Sequence, residues 1–133
     1  DSHFFTPTIN KSLKYIKNND FKSFKLKNSF FAMTGHIIFS KIDALNTVTH
    51  SKKMIKIIRD HIKYKNILIS DDLSMKSLKF STKRNTINAF KAGCNLVLHC
   101  NGNLKEMIIV AENSPKVNSF IIKKTTEFYK ILS

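Results

Sequence analysis

The chain has 133 residues and a formal net charge of +14, long enough to bury one core. Its 23 basic residues are Lys apart from Arg59 and Arg84, which argues against a reader of nucleic acid, since such readers use Arg for bidentate contacts and interleaved aromatics for stacking. No stretch approaches the ~20 apolar residues of a membrane span, and Lys residues spread along predicted helices read as solvated surface, with neither nucleic acid nor membrane as partner.

Taken from the N-terminus, Thr6 and Pro7 open a predicted helix with Ile9, Leu13 and Ile16 on one face, because Pro is tolerated in a first turn. Residues 18–27 are polar and read as loop. Residues 30–34 make a short strand that leads into His36. Over residues 51–63, Met54, Ile57, Ile58 and Ile62 recur at helical spacing and leave Lys52, Lys53 and Lys56 outside; Thr49 or Ser51 is the N-cap. Residues 66–70 form a second strand. Residues 82–92 form a helix with Ile87 and Phe90 inward, and Gly93 is placed for its left-handed cap. Residues 95–100 form the third strand. Leu104, Met107, Ile108 and Ala111 mark a short amphipathic helix, and Val117, Phe120, Ile121, Phe128, Ile131 and Leu132 line a terminal one. Strands alternating with helices predict an α/β fold with a parallel sheet.

The densest chemistry lies at the end of the second strand, where the aliphatic run Ile67-Leu68-Ile69 gives way to Ser70-Asp71-Asp72-Leu73-Ser74-Met75. A run of this kind suits a strand buried on both faces. Side chains alternate along a strand, so only one of the two acids can face a common pocket. Asp is also a favoured helix cap, and the segment alone leaves catalyst and cap equally open. His36 ends its strand on the same side of the sheet and reads as a satisfied structural histidine. Cys94 and Cys100 are two thiols without a disulfide framework, which fits a reducing, cytoplasmic setting. His36, His50, His61, His99 and the two Cys share no metal-ligand spacing, so neither metal nor cofactor is expected.

Three further segments join the acidic one: Asp1-Ser2-His3, Phe31-Ala32-Met33-Thr34-Gly35-His36-Ile37, and Ala92-Gly93-Cys94 running through Leu98-His99-Cys100-Asn101. In this order they resemble the family 3 glycoside hydrolases, and more narrowly the bacterial β-N-acetylglucosaminidases of peptidoglycan recycling. The resemblance spans roughly three quarters of the chain and fades after Asn101. Gly35 stands where the family more often has Ala, and Ser23 where Pro is usual; neither touches the chemistry. A closed (β/α)8 barrel needs about 250 residues. The resemblance therefore implies that residues 1–133 are a single partial domain, the last three βα units of a TIM-type barrel. An earlier part with a Lys-His-Phe-Pro-Gly-His-Gly segment is expected to precede it, as the missing initiating Met also suggests. Three parallel strands without neighbours expose two edges and an interior face, so the isolated chain is expected to be poorly stable or to associate.

The resemblance also implies roles. A retaining glycosidase pairs a nucleophile with an acid/base on the leaving-group side. Asp71 matches the nucleophile of the SDDLSM motif, and His3 the acid/base of the DSH loop. Residues i and i+2 of an extended segment project to one side, so Asp1 can orient the His3 ring. Asp72 is expected to support or cap. The implied partners are N-acetylglucosamine-containing muropeptides or chitooligosaccharides. Two other readings stay open: an inactive barrel remnant, and a Lys-rich module for an anionic polymer.

Overall fold

Three short apolar runs pair into one parallel sheet in the computed structural model, which describes residues 3–25 and 29–133. The strands are β2 (Phe31–Met33), β4 (Ile67–Asp72) and β5 (Leu96–Leu98), with β4 in the centre. Phe31 stands opposite Ile67, and Ile69 opposite both Met33 and Leu96. Each strand runs on into a helix: α2 (Lys52–Asp60), α3 (Thr82–Ala92) and α4 (Leu104–Glu112). That is the parallel α/β layout which the alternation of patterns predicts, in chain order.

One face of the sheet builds the core. Leu68 packs in one cluster with Met54 and Ile55 of α2 and Ala89 and Ala92 of α3, and Ala32 and Val97 join it from the flanking strands. The helices start where hydroxyls can cap them: Ser51 Oγ accepts the Met54 N–H at 3.2 Å, and Ser81 Oγ the Arg84 N–H at 3.4 Å. Such a cap is worth about 1 kcal/mol. Gly93 ends α3 with φ +118°, and a Cβ there would come within 2.9 Å of Ile55 Cγ2. Both the turn and the close packing of α2 call for glycine. The terminal helix α5 (Ser119–Leu132) returns to the start of β2, where Phe128 meets the rings of Phe30 and Phe31 at 5.5 and 5.1 Å.

The N-terminal segment differs from expectation. The predicted helix from Thr6 is replaced by strand β1 (Thr8–Ile9), which pairs in parallel with β3 (Ile38–Phe39). Ile38 N–H donates to the Pro7 carbonyl and Ser40 N–H to the Ile9 carbonyl, at 2.9 and 3.0 Å. A partner strand thirty residues away thus outweighs local helix propensity. Helix α1 (Leu13–Asn18) begins later, at the Ser12 cap. Inside the segment read as loop, Asp20–Phe24 forms a 3-10 helix whose Phe21 is buried edge-on against Phe39, with ring centres 5.9 Å apart. No described helix is long and apolar enough to cross a membrane.

The other face of the sheet is covered at the start of β4, where Ile67 is buried, and open at the strand ends. Met33 there is 61% exposed, and Leu98 is also exposed. Strands β2 and β5 each have one outer edge with no strand neighbour among the described residues. Leu104, Met107, Ile122, Ile131 and Leu132 of α4 and α5 are exposed as well. The accessible surface is 8574 Å², against roughly 7,100 Å² for a folded monomer of this mass. The surplus has the size and apolar character of an uncovered interface. The isolated 133-residue chain should therefore bind a hydrophobic fluorescent dye in native buffer and sediment as an oligomer; a dye-silent monomer would contradict this.

Candidate active site at the end of the central strand

Strand β4 does not reach its end in regular register. Ile69 stands opposite Leu96 and Asp72 opposite Leu98, so β4 spends one residue more than β5 over the same span. This is a β-bulge, a device that re-aims side chains beside active sites. It interrupts the simple alternation assumed for Asp71 and Asp72. The fully buried Ser70 repairs the ladder, its Oγ accepting the Leu98 N–H at 3.0 Å. Beyond the bulge, Leu73 N–H returns to the Leu98 carbonyl at 2.9 Å.

The two acids then divide their work. Asp72 is committed to structure: Oδ1 accepts the N–H groups of Ser74 and Cys100 at 2.9 and 3.0 Å, and Oδ2 accepts the Ser74 hydroxyl at 2.6 Å. Burial pushes its carboxyl up, but those bonds and the nearby His99 outweigh burial and hold it below the usual value. Asp72 thereby ties the turn after β4 to the loop after β5. Asp71 is half-buried, and its only bond among the described residues is the Asp72 N–H, which Oδ1 accepts at 2.8 Å.

His36, kept outside the predicted site, supports this turn from below. The ring is fully buried, with Nε2 2.8 Å from the Asp72 carbonyl and Nδ1 2.9 Å from Thr49 Oγ1. A carbonyl only accepts, so Nε2 carries the proton. In the neutral ring Nδ1 accepts, so the Thr49 hydroxyl has two acceptors for its one proton, His36 Nδ1 at 2.9 Å and the Gly35 carbonyl at 3.3 Å, and Thr34 Oγ1 lies 2.9 Å from it on the other side. The chain Thr34, Thr49, His36, Asp72 carbonyl links the loop after β2 to the peptide beside Asp71. The Ser70 and His36 contacts could not be read from sequence, because each joins residues 28 or more positions apart.

Burial pushes the His36 pKa down against its bond to Asp72 and the two carboxylates. Burial, with His36 adding to it, lowers that of His50 to about 4. The unfolded chain takes up protons near pH 6.5, whereas folded His50 does so only near 4. The stability from keeping these rings neutral is thus complete above pH 6.5 and lost as the pH falls towards 4. From His50 alone the loss between pH 7 and 4 is on the order of 3 kcal/mol. Urea unfolding across this range should show that decline, and His50→Gln should flatten it; an unchanged slope would refute the assignment.

His3 lies on the segment that precedes β1. Its neighbour Phe4 has its ring centre 6.0 Å from Lys76 Nζ, and Thr6 Oγ1 donates to the Ser77 carbonyl. Lys76 and Ser77 belong to the loop that follows Asp71 and Asp72, so residues just after His3 meet residues a few positions beyond the acidic pair. Asp1 lies outside the described residues. Among the described residues no group of three His, Cys, Asp or Glu side chains is placed to hold a metal ion.

The family model for the glycosyl hydrolase family 3 N terminal domain matches residues 1–126. A β-hexosaminidase of Nitrosospira multiformis is 30% identical over 118 residues, covering 84% of this chain and 34% of that protein. This chain thus spans about a third of the length of such curated relatives. NagZ from Neisseria gonorrhoeae in complex with N-trifluoroacetyl-D-glucosamine superposes with a TM-score of 0.79 at 23% identity, over 95% of this chain and 37% of that one. A family 3 β-N-acetylglucosaminidase from a Paenibacillus species gives 0.77 at 17% identity, over 98% and 27%. At these identities the solved structures speak for the α/β fold.

Proposed function

This chain belongs to glycosyl hydrolase family 3, and we propose that it is the nucleophile-bearing part of a retaining β-N-acetylhexosaminidase. The observation that carries this reading is the division of labour at the end of β4: Asp72 is consumed by three bonds, while Asp71 keeps all but one of its acceptor sites. Asp71 also stands at the C-terminal end of the central parallel strand, the side on which barrels of this kind do their chemistry.

The reaction runs in two balanced steps. Asp71 attacks the anomeric carbon of a terminal β-linked N-acetylglucosamine while His3, as imidazolium, gives its proton to the departing glycosidic oxygen. A glycosyl ester on Asp71 and a neutral His3 result. Water then attacks the same carbon, His3 takes the water proton, and the C–O bond to Asp71 breaks. Two displacements at one carbon retain the anomeric configuration. Asp1, by its i, i+2 spacing, is assigned the part of orienting the His3 ring.

We assign the chain to the last three βα units of a (β/α)8 barrel, with residues 1–133 as one partial domain. The open sheet face and the two bare edges support that placement. Turnover then requires the remaining βα units, which enclose the sugar and exclude water. N-acetylglucosamine-containing muropeptides or chitooligosaccharides are the proposed substrates, which puts the protein in cytoplasmic peptidoglycan recycling. The N-acetylated sugar analogue bound by the Neisseria protein favours the first part of that assignment. The thiol of buried Cys94, raised to about 11 by burial, and the free Cys100 are compatible with a reducing compartment.

Release of a chromophore from a β-linked N-acetylglucosaminide tests the reading. The 133-residue chain alone should be inactive and the complete barrel active. In the complete barrel Asp71→Ala should abolish turnover, and His3→Ala should cost roughly 10²- to 10⁴-fold. Normal turnover by Asp71→Ala would disprove the nucleophile.

A further inference from the structure

An acid/base on an N-terminal arm is useful only if the arm is fixed relative to the nucleophile. Phe4 is 66% exposed, so burial does not hold the arm at its His3 end. Two other contacts reach it. Lys76 Nζ lies over the Phe4 ring, and Thr6 Oγ1 donates to the Ser77 carbonyl across 71 residues of sequence. The first is weak, because it lies at an exposed site. The second is part-buried, with Ser77 itself 1% exposed, so its loss leaves a carbonyl short of a donor. Behind Thr6 the arm is continuous with β1, which β3 holds through the Pro7 and Ile9 carbonyls. Thr6 thus ties the arm to this loop three positions beyond His3.

We propose that Thr6 is a positioning residue: its hydrogen bond to the Ser77 carbonyl fixes the acid/base arm to the nucleophile's own loop. This rests on the roles given above to His3 and Asp71. Both catalytic groups are then referred to one rigid object, the turn held by Asp72 and His36, and any shift of that turn carries both together. Because Thr6 acts through His3, its removal impairs proton delivery to the leaving group and leaves the nucleophile intact.

The test compares Thr6→Val, which keeps shape and loses the donor, with Thr6→Ser, which keeps the donor. In the complete barrel, Thr6→Val should lower kcat/KM roughly ten- to a hundredfold on an alkyl N-acetylglucosaminide. On a dinitrophenyl glycoside, whose leaving group needs no proton, the loss should be under threefold, and Thr6→Ser should restore both. Equal losses on the two substrates, or none on either, would overturn the proposal. Asp71→Ala run in parallel tests the catalytic reading separately, because a wrong nucleophile leaves Asp71→Ala active whatever Thr6 does. Amide exchange reads the attachment without turnover: Thr6→Val should speed exchange at Ile38 and Ser40, whose N–H groups bond to the Pro7 and Ile9 carbonyls, at least tenfold, and unchanged exchange would also overturn it.

Discussion

The structure turns on one peptide, that of Asp72. Its N–H is held by Asp71, its carbonyl by His36, and its carboxylate by Ser74 and by the Cys100 N–H. These contacts come from four places: the residue before it, the loop after β2, the turn after β4 and the loop after β5. Each bond is worth only about 1 kcal/mol net; losing the partner of the fully buried His36 leaves a ring nitrogen unsatisfied at a cost of about 1–3 kcal/mol, whereas the Cys100 bond is exposed to solvent. The turn is therefore fixed by several modest bonds acting together, with the His36 end the costliest to break. A bulged strand end would otherwise be a natural place for motion. Here the bulge is filled by Ser70 and then held on every side, which gives Asp71 a rigid base while leaving most of its carboxylate unoccupied.

What the sequence made legible follows the range of the interactions concerned. The bounds of helix α3 and its stop at Gly93 were read correctly because they are local features, but its inward face was not: Asn85, Thr86, Ala89 and Ala92 are buried, whereas Ile87 and Phe90 are only half-buried. The three sheet strands were located because they too are local: short apolar runs bounded by polar residues are visible within a few positions. The N-terminal segment was misread because Thr8 and Ile9 are decided by Ile38 and Phe39, and no window around residue 8 contains them. The acidic motif pointed to Asp71 and Asp72 together, with support as the expectation for Asp72. The bonds by which Asp72 gives that support came into view only with Leu98 and Cys100 alongside, since the bulge is defined by the register of a strand 26 residues away. His36 illustrates the same limit. Its place at a strand end was evident, but its partner, the Asp72 carbonyl, is a backbone atom and leaves no mark on the sequence.

The charge is distributed in a way that matches its reading as surface. Arg59, half-buried at the end of α2, donates to the carbonyls of Tyr64 and Asn66 and to Asn95 Oδ1, which also accepts the Leu68 N–H. It fastens α2 to the entry of β4 and to the turn before β5. Arg84 stacks on Phe80 with the guanidinium carbon 4.5 Å from the ring centre. Both arginines, the residues best suited to gripping phosphate, are thus engaged in the fold. The pair Lys56 and Asp60, 2.6 Å apart one helical turn from each other, is exposed and screened by solvent, so it adds little to stability.

The two faces of the sheet are finished to different degrees, and that difference explains how rigid chemistry and incomplete enclosure coexist in one chain. Towards α2 and α3 the sheet is buried, capped and hydrogen-bonded through Thr34, Thr49 and His36, so the position of Asp71 is set from the helix side. Towards the interior, Met33 and Leu98 face solvent. In the role proposed for Asp71, a carboxylate nucleophile needs both conditions: a fixed position, and surroundings from which bulk water has been removed so that charge developing on the substrate is met by fixed dipoles. The chain supplies the first from its own residues. The second requires atoms on the far side of the sheet, and the unpaired edges of β2 and β5 are where further parallel strands could add them without disturbing anything that holds Asp72.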